Sequence, residues 1–512
     1  MAARPDIVLL VLDTQRRDRL SCYEQQIDTS PYLDELADDS TLFRQAISAA
    51  QWTVPSHASM FTGLYPSDHT MYHASSVLPA SLTTLAERLR DGDYFTAAYC
   101  NNPLLGVVNN GLRRGFYSFL NYGGLMTSRP NQIGIPKGPI DRYRQQFKRL
   151  LATILSTLQD GFARSDTLLD FSFSPLMVPL WQSALSFKGN TGKALNDAAR
   201  LLIERKGVNE NQPIFSFINL MGTHMPYHPP VRFIERYAPH VQGNKAAQHY
   251  LRRFNSDVFG YLAPLSSVLN EEQKATLDGM YNAEVAHQDE LVGAFVKKLR
   301  SSGRLDRTLL IVCADHGEHL GEKKLIGHSL LLYNELVHVP LMIRDPGGDL
   351  PRGTTVEHVA STRRIFHTVL TAAGMATETE RAFTLAQSAS SDPDQDTVFS
   401  EGVTPKNALS LLRRRRPDLV RERELDKPHR AVWKGWHKLI ETDDDDFQLY
   451  HIFDDPYENV NLYDILPEQV KTLHEYLQAF VKHTDFPTPA AEEADYDDPE
   501  VYRRLHNLGY LE

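Results

Sequence analysis

The amino-acid sequence predicts an α/β fold in which helices cover both faces of a large, mixed and mostly parallel sheet. Helical patterns, among them residues 81–90 and 271–299, alternate with short apolar runs. Strands that alternate with helices indicate a parallel sheet with helices on both sides. Four runs rich in β-forming residues are typical of strands buried on both faces: residues 7–12, 214–220, 308–313 and 339–343.

The sequence divides into a main domain, residues 1–395, and a small α+β subdomain, residues 396–512. The boundary is placed where the chain becomes polar, around residues 392–396. After this boundary we predict two antiparallel strands joined by an acidic turn, and then a terminal helix. These elements are predicted at residues 430–440, 447–453 and 467–483.

Residues 121–192 are predicted to be an insertion in the main domain. Apolar residues recur at helical spacing in its first part, and the later apolar stretch is broken by Pro175 and Pro179. One interpretation is a cap packed over the core. The other is a lid in which residues 143–181 contact a lipid-like substrate, a membrane surface or a second subunit of a homo-oligomer.

The composition limits the classes of function. The 512 residues carry a net charge of −11, whereas a general nucleic-acid binder normally has a basic excess. The three cysteines are far apart and lack metal-type spacing, which indicates a reducing compartment rather than a disulfide framework. Because neither a signal-peptide pattern nor an apolar stretch of about 18 residues is present, we expect a cytoplasmic location.

Polar residues follow three of the predicted strands, at the sheet edge where ligands collect in parallel α/β folds. Asp13 ends the first strand, a polar segment follows Leu220, and Asp315 and His316 follow the strand 308–313. Carboxylate oxygens and an imidazole from separate strands suit a divalent cation. Pro55 predicts a helix start, so the Thr53 hydroxyl lies where backbone N–H groups favour an anion. Simple helix capping by Asp13, Thr53 or Ser56 is the alternative interpretation.

Several motifs together resemble the sulfatase family of the alkaline-phosphatase superfamily. Their order and spacing agree over nearly the whole chain, apart from the insertion after Asn121. The matching features are Asp13 in Leu-Asp-Thr-Gln-Arg-Arg-Asp, Thr53-x-Pro55-Ser56-His57 through Thr62-Gly63, Gly222-Thr-His-Met-Pro-Tyr227, Tyr281 to Asp289, Asp315-His316-Gly317-Glu318, Gly327-His328 to Pro340, and Leu449-Tyr450 to Asn461-Leu462.

The resemblance implies one divalent metal ion, with Ca²⁺, Mn²⁺, Mg²⁺ and Zn²⁺ as candidates. The family pattern places this metal on Asp13, Asp315 and His316, with the Thr53 nucleophile completing the shell. A second metal is not favoured, because Asn219 and Thr223 stand where a two-metal phosphatase would supply further ligands.

The resemblance also implies roles for four residues around the nucleophile. His224 takes the place of the histidine that contacts the ester or leaving group, and is a candidate general acid. His328 and Asn101 fall where many sulfatases carry lysines that bind the sulfate. His57 replaces the arginine of the usual signature and is expected to orient the nucleophile loop.

Thr53 changes the chemistry that the resemblance implies. Sulfatases convert a cysteine or serine at this position to formylglycine, but the same oxidation of threonine would give a ketone, so we expect no formylglycine. A phosphothreonine is a familiar intermediate in related enzymes. Thr53 therefore favours a phosphodiester, phosphonate or phosphomonoester of a small molecule, lipid or carbohydrate. A true sulfatase, a phosphotransferase and a non-catalytic binding scaffold are the alternatives.

Overall fold

The computed structural model describes most of the chain. Residues 123–187, which contain the 143–181 stretch and nearly all of the predicted insertion, lie outside the described residues. The described residues are 4–23, 25–106, 108–122, 188–256, 267–442 and 446–483.

A mixed sheet of nine strands forms the centre of the described structure, together with a two-stranded and a four-stranded sheet. The strands, labelled in chain order, are β1 Asp6–Leu12, β2 Thr41–Ile47, β3 Phe95–Cys100, β4 Ser118–Asn121, β5 Ile214–Leu220, β6 Thr308–Cys313, β7 His319–Leu320, β8 Ile326–Gly327, β9 His338–Val339, β10 Leu341–Arg344, β11 Thr354–Ser361, β12 Thr397–Gly402, β13 His429–Lys434, β14 His437–Thr442 and β15 Asp446–His451.

The central sheet has the strand order β11-β2-β10-β6-β1-β5-β3-β4, and β9 pairs with β2. The pairs of β1 with β5 and β6, of β3 with β4 and β5, and of β2 with β11 are parallel. Only β9 and β10 run antiparallel to their neighbours in this sheet. The predicted α/β class with a mixed, mostly parallel sheet is confirmed.

The predicted strand at residues 339–343 was wrong in detail. It is divided into β9 and β10 at Pro340, which has no N–H to donate to a neighbouring strand. The Pro340 carbonyl instead accepts a hydrogen bond from Ala314 N at 3.2 Å. The chain therefore bends beside the loop that follows β6.

The apolar sequence of β1 follows from the two cores that it separates. Residues 7, 9 and 11 belong to one core and residues 8, 10 and 12 to the other, and none of these side chains is exposed. Because successive side chains of a strand point to opposite faces, a strand covered on both sides is apolar throughout.

Helices cover the two faces of the central sheet. Thr53–Thr62, Leu85–Asp91 and Ile365–Ala372 supply residues to the core on one face. Pro31–Asp38, Thr191–Glu204 and Glu271–Ser301 supply residues to the core on the other. The remaining described α-helices are Pro66–His69, Pro103–Gly106, Val231–Tyr237, Lys245–Ser256, Asn334–Val337, Glu378–Ala382, Lys406–Arg415, Pro417–Glu422 and Pro467–His483. None of the described helices is both long and apolar enough to cross a membrane.

The C-terminal part of the described chain forms the antiparallel sheet β12-β13-β14-β15. The single strand predicted at 430–440 was wrong, because Gly435, at φ +56°, turns the chain into a tight hairpin between β13 and β14. The helix Pro467–His483 has the predicted bounds, and its Leu473 and Leu477 pack on this sheet. The division of domains at residue 396 stays a proposal.

Candidate active site

The ends of β1 and β6 bring the predicted metal ligands together. β1 and β6 are parallel neighbours, so Asp13 after β1 and Asp315 after β6 emerge at the same edge. Asp13, Asp315 and His316 are fully buried, and each offers one ligand atom within 4.8 Å of the others. Among the described residues, this is the one group of carboxylates and imidazoles with the spacing of a metal site.

Each carboxylate of this group has one oxygen that is held by hydrogen bonds and one that is not. Asp13 Oδ2 accepts from Asn102 Nδ2 at 2.8 Å and from Asn219 Nδ2 at 3.3 Å. Asp315 Oδ1 accepts from the backbone N–H of His316 at 3.0 Å. Asp13 Oδ1 and Asp315 Oδ2 have no hydrogen-bond partner in the described part of the chain. Buried carboxylate oxygens without donors fit a cation that binds between them.

The tautomer of His316 completes this arrangement. His316 Nδ1 lies 2.9 Å from the carbonyl oxygen of Gly317, so Nδ1 carries the hydrogen and donates it. Nε2 then presents its lone pair 3.4 Å from Asp315 Oδ2 and 3.8 Å from Asp13 Oδ1. A hydrogen bond from the far ring nitrogen to a carbonyl is the usual way in which a metal-binding histidine is oriented.

Burial makes the two carboxylates costly to ionise without a counter-ion. It raises the pKa of Asp13 to about 7, with a further contribution from Asp315, and raises the pKa of Asp315 to about 8. Burial also lowers the pKa of His316, which favours the neutral ring that a metal requires. The donor set of two carboxylates and one neutral imidazole therefore fits a divalent ion.

We expect the metal-free protein to gain stability when a divalent cation is added. Titration with Mn²⁺, Ca²⁺, Mg²⁺ or Zn²⁺ should raise the melting temperature by about 2–3 °C at a hundredfold excess over Kd. Asp315→Asn should abolish this response. Asp345→Asn is the matched control, because Asp345 is a buried carboxylate that accepts from the backbone N–H of Gly347, away from the site. An equal response of wild type and Asp315→Asn would contradict the assignment.

Thr53 lies beside the ligand group, at the first residue of the helix Thr53–Thr62. Its Oγ1 is 3.3 Å from His316 Nε2 and is fully buried. The N-cap position is Trp52, which supplies no side-chain cap, and the Ser56 hydroxyl donates to Ala50 O at 3.0 Å. Neither Thr53 nor Ser56 therefore serves as the N-cap, the alternative that the sequence left open.

His57, which was predicted to orient the loop that carries Thr53, contacts the start of the helix Thr53–Thr62. Its Nδ1 donates to the backbone oxygen of Thr53 at 2.9 Å and lies 3.5 Å from Asp315 Oδ2. Burial lowers the pKa of His57 to about 3, so the ring is neutral. His57 thus joins the start of the helix to the loop after β6 without adding a charge.

His224 and His328 lie next to each other, close to the ring of His316. Their ring centroids are 4.9 Å apart, and the His328 ring lies 4.6 Å from that of His316. His224 Nδ1 donates to Met225 O at 2.5 Å, and His328 Nδ1 is hydrogen-bonded to Glu318 Oε1 at 2.8 Å. Burial lowers the pKa of His224 to about 3 and that of His328 well below its usual value.

Asn101, a predicted substrate-binding residue, follows β3 and is adjacent to Asn102, which contacts the ligand group. Asn101 Nδ2 donates to Thr191 Oγ1 at 3.3 Å, whereas the adjacent Asn102 donates to Asp13. Successive residues at a strand end face opposite ways, which the sequence motif Asn-Asn-Pro does not resolve. The polar end of β3 could have suggested Asn102, but the resemblance pointed to its neighbour.

Asn219 and Thr223, which argued against a second metal, contact Asp13 instead. Asn219 donates to the Asp13 carboxylate, and Thr223 Oγ1 donates to the Asp13 backbone oxygen at 2.8 Å. Glu318 and Lys188 were not predicted as site residues. Glu318 could have been found from its place in the Asp315-His316-Gly317-Glu318 motif, but no sequence signal marks Lys188.

Two acidic residues of the long helix Glu271–Ser301 have different positions relative to the site. Asp289 accepts from the backbone N–H groups of Tyr32 and Leu33 at 3.1 and 2.8 Å, and so caps the helix Pro31–Asp38. Glu284 lies near the His224 loop, where it is paired with Lys188 at 2.7 Å.

Comparison with known proteins decides the family. A protein-family model described as Sulfatase matches residues 5–375. The chain belongs to the sulfatase family. Like other members it is a hydrolase of ester bonds, and the family is metal-dependent. An arylsulfatase of Clostridium perfringens (strain 13 / Type A) is 22% identical over 379 residues, which are 72% of this chain and 74% of that protein.

Solved structures of two further proteins share the fold. The phosphonate monoester hydrolase of Agrobacterium radiobacter superposes with a TM-score of 0.64 at 19% identity, covering 96% of this chain and 98% of that one. A structure described as a complex with its substrate, D-glucosamine-2-N,6-O-disulfate, has a TM-score of 0.62 at 15% identity and covers 96% and 100%. A phosphonate monoester hydrolase and a protein whose substrate is a disulfated sugar thus share the fold of this chain.

Proposed function

We propose that this member of the sulfatase family hydrolyses a phosphodiester, phosphonate or phosphomonoester by attack of the Thr53 hydroxyl. The observation that carries the proposal is the place of that hydroxyl, 3.3 Å from His316 Nε2 and beside two carboxylate oxygens without donors. Asp13, Asp315 and His316 would hold a divalent ion, which would supply Lewis-acid polarisation and lower the pKa of the Thr53 hydroxyl.

In the first step the Thr53 hydroxyl gives up its proton to solvent, Thr53 Oγ forms a bond to phosphorus, and the bond from phosphorus to the leaving oxygen breaks. His224 gives the leaving oxygen its proton. Burial keeps the free His224 ring neutral, but an anionic substrate beside the ring favours its protonated form, which then acts as the acid. His328, next to His224, binds the anionic oxygens. In the second step, water attacks phosphorus and releases Thr53 again.

A phosphorus ester is favoured over a sulfate ester because threonine cannot release the bound group by the route that a hydrated aldehyde uses. A hydrated aldehyde releases sulfate by collapsing to the carbonyl, whereas a threonine ester has no second hydroxyl on its β-carbon. Its intermediate must be cleaved by water at the central atom. Phosphothreonine is the more familiar intermediate of this kind. The observation that favours the second candidate, a true sulfate-ester hydrolase, is the family itself, which includes the clostridial arylsulfatase.

The substrate proposal is tested by a panel of nitrophenyl esters on metal-loaded protein. We expect the highest kcat/KM on a nitrophenyl phosphate, a bis(nitrophenyl) phosphate or a nitrophenyl phosphonate, and a lower value on nitrophenyl sulfate. A clear preference for the sulfate would overturn the proposed phosphorus specificity and support the second candidate. Glycerol added as an acceptor distinguishes transfer from hydrolysis, since a phosphotransferase would release glycerol phosphate.

A further inference from the structure

The loop 221–228, which carries His224, is held at both ends by a buried ion pair that the proposed reaction does not use. Lys188 Nζ donates to the backbone oxygen of Gly222 at 2.8 Å and to Glu284 Oε1 at 2.7 Å. The same carboxylate oxygen of Glu284 accepts the backbone N–H of His228 at 2.6 Å. The pair therefore connects a residue before His224 with one after it.

The long helix Glu271–Ser301 carries two of the residues that hold the loop. Glu284 and Gln288 are one turn apart and both reach the loop, since Gln288 Oε1 accepts from Gly222 N at 3.0 Å. A Cβ added at Gly222 would meet Gln288 Oε1 at 2.4 Å, so the loop packs closely against this helix. Lys188 lies close to the ring of Tyr227, 5.6 Å from its centroid.

Contacts of the neighbouring residues hold His224 in position. Thr223 is tied to the Asp13 backbone oxygen at 2.8 Å, and His224 N donates to Met221 O at 3.3 Å. With Gly222 and His228 also held, the backbone is fixed on both sides of His224, whose imidazole lies beside that of His328. The Lys188 and Glu284 side chains are 17% and 5% exposed, so water replaces their contacts poorly.

We propose that Lys188 and Glu284 are a positioning pair for His224, an inference that rests on the proposed role of His224 as the general acid. Without the Lys188 ammonium, the Gly222 carbonyl loses its donor and the Glu284 carboxylate loses its counter-ion. The loop then loosens, and His224 is within reach of the leaving oxygen for a smaller part of the time. The hydrogen bonds of the pair go to the loop on either side of His224, so we expect the pair to act through the imidazole.

The experiment compares two substrates that share one phosphorus group and differ only in the leaving group. The phosphorus group is the one preferred in the nitrophenyl panel. A nitrophenolate leaves without a proton, whereas a simple alkoxide requires one, so only the alkyl ester depends on the acid. We expect His224→Ala to lower kcat on the alkyl ester by about 100-fold or more. Lys188→Met should lower the same kcat by about tenfold, and both variants should keep nitrophenyl turnover within about threefold.

Two further variants test whether the loss of alkyl-ester turnover is specific to the ion pair or reflects a general loss of structure. Glu284→Gln keeps an acceptor for His228 N but removes the charge, and should show the same selective loss as Lys188→Met. Lys188→Arg retains a cation and donors, and should recover most of the alkyl-ester turnover. Lys206→Met is the matched control, because Lys206 is 86% exposed and pairs with Glu204 on the surface; it should equal wild type on both substrates.

The outcomes distinguish the acid role of His224 from the positioning role of Lys188 and Glu284. A selective loss in His224→Ala, Lys188→Met and Glu284→Gln supports the positioning pair. A selective loss in His224→Ala with an equal loss on both substrates in the other two variants overturns the pair and leaves the acid role standing. An unselective effect of His224→Ala overturns the acid role itself, and the positioning proposal fails with it.

Discussion

Replacing Thr53 with alanine should reduce turnover by about 10⁴-fold or more, because removal of a nucleophile removes the covalent step altogether. The Thr53 hydroxyl is buried against the ligand group, so no other side chain of the helix can take its place. Thr53→Ser keeps a hydroxyl on the same carbon and should retain measurable turnover. The measurement is kcat/KM of each metal-loaded variant on the preferred substrate.

Thr62→Ala is the matched control for this experiment. Thr62 is a buried threonine at the other end of the same helix, and its hydroxyl donates to Ala58 O at 2.7 Å. Its loss should leave kcat/KM near the wild-type value. If Thr53→Ala remains as active as Thr62→Ala, Thr53 is not the nucleophile.

Arg16→Met should cause the largest loss of stability among single substitutions near the site. Arg16 is fully buried and binds both oxygens of Asp18 at 2.9 and 2.7 Å and Glu322 Oε1 at 2.9 Å. It also donates to the Glu318 backbone oxygen at 3.2 Å, and so joins the segment after Asp13 to the loop after β6. Removal takes the closest cation from two largely buried carboxylates and leaves them only Arg19 and Lys274 at 3.4–3.8 Å, which should cost about 3 kcal/mol of unfolding free energy.

Urea unfolding of metal-free protein measures this loss separately from metal binding. Arg232→Met is the control, since Arg232 pairs with Glu290 where both side chains are largely exposed. Such a surface pair should change the free energy of unfolding by less than about 1 kcal/mol. If Arg16→Met and Arg232→Met unfold at the same urea concentration, the buried pairs of Arg16 do not stabilise the fold as argued.

The strands and helices that could be predicted from the sequence are those with one unbroken pattern. β5 and β6 are short apolar runs between polar residues, and their bounds agree with the prediction. The helix Pro467–His483 was also placed correctly, because its apolar residues recur at helical spacing after a proline. The hairpin at Gly435 was missed because aromatic and apolar residues continue through the turn and hide it.

The site residues that could be predicted from the sequence are those that directly follow strands. Asp13, Asp315 and His316 come directly after β1 and β6, so the topology of a parallel sheet brings them together. Lys188 could not be found in this way. It precedes a helix and meets the His224 loop and Glu284 only through tertiary contacts, which no local pattern records.

The most direct test of the account follows the fate of Thr53 during turnover. Metal-loaded wild type is mixed with the preferred phosphorus ester, quenched in acid within one turnover, and digested for peptide mass analysis. We expect the phosphorus-containing half of the substrate to be bound to Thr53, and no such adduct in Thr53→Ala. An adduct on another residue, or full turnover while Thr53 stays unmodified, would contradict the account.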